Sequence, residues 1–179
     1  MIYNDNIMTA NIASISSRSL GRYLEMESLL HSFFEGIGFC RENYGTTCNG
    51  CCNENIVLYP KNYYGCRELD EERLRIYGEG DSDRGCPYSS DKGCVLGTHK
   101  TPKCIAYVCP QFTKALIDQG IDYDWFEVRA LLNCILNEAR IDLLSGLEIE
   151  PYCISDEEFS ELKRRFDDSI KIWSSKAAK

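Results

Sequence analysis

Apolar residues recur at three- and four-residue steps between positions 17 and 38, where Leu20, Tyr23, Leu24, Leu30, Phe33, Phe34 and Ile37 mark one face. That spacing predicts an amphipathic helix over 17–38, capped by Ser17 or Ser19 and ended by Gly36 and Gly38. The pattern then breaks. Residues 40–110 show no sustained helical or strand period and are rich in Gly, Asn, Asp and Tyr, with an acidic turn over Gly78–Gly85 and a short helix at roughly 68–77 (Leu69, Leu74, Ile76). Helical spacing returns at 111–119, closed by Gly120, and again from Asp122 or Asp124 to about Ser145. In that second stretch Trp125, Val128, Leu132, Ile135, Ala139 and Leu143 share a stripe, with Gly146 as the C-cap. Ser155-Asp-Glu-Glu158 reads as a capping box, and Phe159, Leu162, Phe166, Ile170 and Trp173 follow it at helical spacing. The pattern predicts a mainly α fold in one domain, 1–179. An N-terminal helix (17–38) and C-terminal helices (111–175) flank an irregular module (40–110) and pack on it.

A structureless stretch as long as 40–110 needs something besides a hydrophobic core to hold it. The cysteines supply that restraint. The chain has 11 of them, and nine fall between Cys40 and Cys109; only Cys134 and Cys153 lie beyond. The first 19 residues have neither a basic start nor a continuous apolar run, which predicts no secretory signal. No stretch approaches the roughly 20 apolar residues of a membrane-spanning helix. The expected compartment is therefore the reducing cytoplasm, where structural disulfides are rare and an odd number of thiols points to metal ligation. A net charge of -8 disfavours binding to nucleic acid or to an anionic bilayer surface. The 44% hydrophobic content fits a folded chain. A protein partner stays open.

Within the module, Cys48-Asn-Gly-Cys51-Cys52 is the strongest local signal. A Cys-x-x-Cys turn converges two thiolates on one metal, and Gly50 eases the turn. Downstream, Cys86, Cys94, Cys104 and Cys109 are separated by seven, nine and four residues, and both Cys86 and Cys109 precede proline. A Cys-Pro step also closes bacterial ferredoxin-type ligand runs. These seven, Cys48, Cys51, Cys52, Cys86, Cys94, Cys104 and Cys109, are the candidate ligands. Cys40, Cys66 and Cys153 stay open, and Cys134 reads as a packed helical thiol. His99 reads as a solvated loop histidine or a ligand, and His31 as a helix-face residue. Tyr59, Tyr63, Tyr64, Tyr88 and Tyr107 are placed to shield a metal site from water.

Over roughly residues 45–110 the chain resembles the YkgJ-like cysteine-cluster family, described as zinc- or iron-chelating. Cys48, Cys51 and Cys52 match the later part of that family's first cysteine element. Cys86-Pro87-Tyr88 and Gly93-Cys94-Val95-Leu96, with Cys104 and Tyr107, match its second block. Gly45 stands where the family has its first cysteine, and Thr101-Pro102 where it has Arg-Pro. The resemblance implies a metal-binding module; similar modules in flagellin lysine methylases are associated with an iron–sulfur cluster. Irregular, long spacings suit a cluster, which accepts ligands over a wider volume than one tetrahedral ion. The expected cofactor is thus an iron–sulfur cluster of the 4Fe–4S type, with an electron-transfer or redox- or iron-sensing role. The alternative is zinc in a structural or adaptor protein whose helices bind a partner. No acid–base pair or nucleophile motif specifies an enzyme.

Overall fold

The computed structural model describes residues 15–39, 42, 67–81, 86–90, 93–124, 128, 131, 132, 135 and 154–177. Among them the chain is mainly helical: α1 (Ser17–Ile37), α2 (Arg67–Tyr77), a two-stranded ribbon of β1 (Ser89–Ser90) and β2 (Gly93–Cys94), α3 (Pro102–Ala106), α4 (Pro110–Asp118) and α5 (Asp156–Ala177).

Helix α1 begins one residue before the expected caps. Ser16, extended at φ -71° and ψ 154°, accepts the Ser19 N–H on its Oγ at 3.2 Å. It ends where the sequence indicates, at Gly38, whose φ of 73° lets its N–H close back on Phe34 O. The capping box at α5 forms reciprocally: Ser155 Oγ accepts the Glu158 N–H at 3.1 Å, and the Glu158 carboxylate accepts the Ser155 N–H at 2.9 Å. Gly120, at φ 69°, closes the segment after α4.

Helix α1 is the spine, touching α2, α3 and α5. From it Tyr23, Met26, Leu30 and Phe33 enter the main core. There they join Leu69 of α2, Phe112 and Leu116 of α4, Phe159 and Phe166 of α5, and the helical positions Val128, Leu132 and Ile135. Each fully buried side chain of this kind contributes roughly 1.5–3 kcal/mol. Phe33 and Tyr123 meet Trp173 with ring centroids 5.3 and 5.6 Å away. The expected stripe positions Trp125, Ala139 and Leu143 lie outside the described residues. Helix α2 departs from the hydrophobic pattern. Leu69 is buried, but Leu74 and Ile76 are exposed, and the inward position is taken by Arg73, 1% exposed.

Helices α1 and α5 are also joined by a buried cation. Arg22, 6% exposed, donates from Nη1 to Ile154 O and from Nη2 to Asp156, and its guanidinium lies 5.0 Å from the centre of the Phe159 ring. We expect Arg22→Met, which keeps the stem but removes both donors, to cost about 2 kcal/mol in urea unfolding. A loss below a few tenths would show that the junction rests on apolar packing alone.

Candidate metal centre

Cys86 and Cys94 are brought together by the ribbon. After Cys86 the chain turns, with the Ser89 N–H (3.0 Å) and Oγ (2.9 Å) both donating to Cys86 O. It then pairs antiparallel so that Cys94 stands opposite Ser89, and the Val95 N–H donates to Tyr88 O at 2.9 Å. A second, small apolar cluster forms here from Cys86, Tyr88 and Leu96, with Tyr77 of α2 packed against it. The loop after α2 folds onto the same segment. Tyr88 donates to Gly78 O at 2.9 Å and the Asp81 N–H to Pro87 O at 2.8 Å. Gly80 makes that approach possible: at φ 77°, a Cβ on it would stand 2.4 Å from Pro87 O.

Cys104 arrives by a different route. The turn 97–101 carries the chain from β2 to α3, and its geometry is unusual because His99 holds φ 64° without being glycine. Buried charges from two helices hold it there. Glu27 of α1, with no exposed surface, accepts the His99 and Lys100 N–H groups, one on each carboxylate oxygen, both at 2.8 Å. Two successive backbone N–H groups converging on one anion form a nest. Arg73 of α2 donates from Nε to His99 O and pairs with Asp70. Tyr23 donates to Lys100 O, and the Tyr77 hydroxyl accepts the Gly97 and Thr98 N–H groups at 3.1 and 2.9 Å. Burial pushes the Glu27 carboxyl above its ordinary value, an effect only partly offset by those backbone donors and by Lys100.

From this fixed turn Thr101 starts α3. Its Oγ1 accepts the Cys104 N–H at 3.2 Å and donates to Cys104 Sγ at 3.0 Å. The Cys104 thiol is pushed up to about 11, chiefly by burial and then by repulsion from the Cys86 and Cys94 sulfurs, against the Thr101 bond. Burial also raises the Cys94 thiol although the residue reaches the surface. A Leu96 backbone bond and Lys100 oppose that rise, and Cys86 adds to it. The charges of Cys86 and Cys94 thus reach Cys104, and that of Cys86 reaches Cys94. All three are thiols rather than disulfide sulfurs.

Cys109 lies at the head of α4 among the main-core residues, where its Sγ accepts the Phe112 N–H at 3.4 Å. Cys48, Cys51 and Cys52 lie outside the described residues, as do Cys40, Cys66, Cys134 and Cys153. Among the described residues no three Cys, His, Asp or Glu side chains close to a shared metal-binding point. His99 is not a solvated loop residue: it is 6% exposed, with Nδ1 on Thr98 Oγ1 at 2.8 Å and Nε2 on Glu72 at 2.9 Å. Both ring nitrogens are thus engaged in bracing the turn. His31 sits 3.4 Å from the Lys100 ammonium, and burial, then that charge, lowers its pKa. Of the expected tyrosine shield, Tyr88 packs on Cys86 and Tyr107 packs against the main core, while Tyr59, Tyr63 and Tyr64 lie outside the described residues.

Sequence spacing does not single out Glu27, Arg73 or Tyr77, which hold the centre together. Their one signal is position: Glu27 falls on the Tyr23–Leu30 stripe, and Arg73 lies one turn from Leu69. No family model, curated protein or solved structure matches the chain.

Two substitutions test this frame. Gly80→Ala should cost at least about 1–2 kcal/mol, since it meets both a left-handed backbone and the Pro87 carbonyl; a wild-type urea midpoint would refute the close approach. Glu27→Ala leaves two buried N–H groups unsatisfied, at about 1–3 kcal/mol. Because the folded-state pKa of Glu27 is raised, its contribution is fully present below the unfolded value of 4.5 and declines as pH rises through the folded value. The stability gap between wild type and Glu27→Ala should therefore be widest in acid and narrow toward neutrality. A gap that widens with pH would contradict the burial assignment.

Proposed function

We propose that this chain is a cysteine-ligated metal protein that carries an iron–sulfur cluster and serves in electron transfer or in sensing redox state or iron. The observation that carries the reading is that the ribbon and the His99 turn carry Cys86, Cys94 and Cys104, all thiols, within reach of one another's charge, with Cys86 buried, Cys104 half-buried and Cys94 exposed. Left as thiols, Cys94 and Cys104 resist deprotonation, and as bare thiolates the three would repel one another. A bound cation reverses both penalties, because metal ligation deprotonates sulfur and compensates its charge. The donor set is soft sulfur, which suits iron–sulfur clusters and zinc over hard cations. The surroundings support a cluster: Tyr88 and Leu96 form an apolar wall on Cys86, and the Thr101 hydroxyl supplies a hydrogen bond to sulfur.

In this reading Cys86, Cys94 and Cys104 hold the group, and Cys48, Cys51 and Cys52 are the source of the remaining thiolates. Cys109, committed to the head of α4, keeps a structural role. The resemblance to the YkgJ-like family supports the same assignment over roughly residues 45–110. The chain's own contribution is to fix the sulfurs before binding, which limits reorganisation between oxidation states.

The test is purification of the full chain without oxygen, followed by an ultraviolet–visible spectrum and iron, sulfide and zinc assays on one sample. Iron and sulfide in matching amounts, with a broad visible absorption that bleaches on reduction, are expected. Cys86→Ser, Cys94→Ser and Cys104→Ser should each lose most of the metal, while Cys109→Ser should retain it and lose stability. Zinc alone would remove the redox role and leave a structural thiolate site. Absence of both metals would end the proposal.

A further inference from the structure

Thr101 is 1% exposed, and its hydroxyl has one proton to donate. That proton goes to Cys104 Sγ at 3.0 Å, while the same oxygen accepts the Cys104 N–H at 3.2 Å and the Thr101 carbonyl accepts the Ile105 N–H at 3.0 Å. Capping α3 requires only the accepting role. The donating role needs its own explanation, because a thiol sulfur is a weak acceptor and a thiolate is a strong, charge-assisted one. A buried hydroxyl aimed at sulfur fits a sulfur that carries negative charge in the working protein. The turn that presents Thr101 is fixed on its upstream side by Glu27, Tyr23 and Arg73, so the hydroxyl meets the sulfur in a set position rather than by rotation of a loose loop.

Resting on the thiolate–metal reading above, we propose that Thr101 is a positioning residue for the metal centre. Its hydroxyl donates to the Cys104 thiolate, draws electron density from the sulfur–metal bond and holds Cys104 in its ligating orientation. The role holds for iron or zinc, since both bind the same thiolate. Partners of this kind, one bond removed from the metal, typically change metal affinity about 10- to 100-fold when lost.

The experiment uses cobalt(II) alone as the probe, titrated without oxygen into the metal-free full chain. Wild type, Thr101→Val, Thr101→Ala, Thr101→Ser and Cys104→Ser are compared. Wild type should develop the intense near-ultraviolet absorption of sulfur-to-cobalt charge transfer, and Cys104→Ser should weaken it. Thr101→Val should bind cobalt about 10- to 100-fold more weakly. Its charge-transfer band should move to lower energy, because a thiolate without its donor gives up charge more easily. Thr101→Ala should behave in the same way and carries the test if the valine variant does not fold. Thr101→Ser, which keeps the hydroxyl, should restore both affinity and band position. A cap that acts only on the fold would leave the band energy unmoved. Wild-type affinity and band energy in Thr101→Val or Thr101→Ala would overturn the role of Thr101 and leave the metal reading standing. Absence of any sulfur-to-cobalt band in wild type would overturn the metal reading, and the role of Thr101 with it.

Discussion

The arrangement of the centre depends on one buried carboxylate. Glu27 has no exposed surface and binds two successive N–H groups of the turn at His99 and Lys100. Burying a carboxylate is expensive, and holding a non-glycine residue at φ 64° adds roughly 1–2 kcal/mol. Neither cost is met within the turn itself. Both are offset because α1 and α2 reach the same peptide from two sides, Glu27 on the His99 N–H and Arg73 on the His99 carbonyl. A strained backbone persists only where its surroundings over-determine it. Here they do so at the step between Cys94 and Cys104, and the spatial relation of those two sulfurs follows from it.

Two kinds of restraint therefore divide the molecule. The main core, built on α1, α4 and α5, is an ordinary apolar interior in which aromatic rings from Phe33, Phe34, Phe112, Tyr123 and Trp173 meet edge to face, tilted or, for Phe33 and Tyr123, stacked. Hydrophobic burial suffices there. Among the described residues the apolar cluster around the thiols is much smaller, namely Cys86, Tyr88 and Leu96 with Tyr77 alongside. So few side chains do not offset the conformational entropy of ordering the turns around them. Hydrogen bonds to α1 and α2 supply part of the difference: the Tyr77 hydroxyl on two backbone N–H groups, Tyr88 on Gly78, and Glu27 on the His99 turn. Thiolate–metal bonds, in the proposed reading, supply the rest.

This division explains what the sequence discloses. Helices of the main core are legible because their stability comes from periodic apolar burial, and the stripes of α1 and α5, the Ser155–Glu158 box and the Gly38 cap all register in the pattern. Helix α2 is the instructive departure. Its sequence predicts a short helix with Leu69, Leu74 and Ile76 as its apolar residues, but its partner is the backbone of a turn as well as an apolar surface. The side chain that goes inward is therefore Arg73, a donor for a carbonyl. Glu27 is hidden for the same reason: a charged residue on a helical stripe looks like an interruption until the groups it bonds are known. Spacing also cannot distinguish Cys109 from Cys104. Each sits near the start of a helix, yet one sulfur accepts a backbone N–H in the main core and the other a side-chain hydroxyl, within the field of two further thiols.

The charge balance adds a last constraint. The chain carries a net charge of -8, and a thiolate site, in the proposed reading, would add further negative charge within it. Cations close to the sulfurs then matter more than the overall balance. Lys100 is the one whose field opposes the rise of the Cys94 thiol, and its backbone is the one pinned by Glu27. Its ammonium also lies beside His31, where it disfavours a second positive charge. The same carboxylate that shapes the turn thus stations a cation near the thiols, tying backbone geometry and electrostatics to one residue. A metal centre on this frame would take its ligand positions from Glu27 and Arg73 and part of its local field from Lys100, while the acidic surface sets the environment that any partner meets.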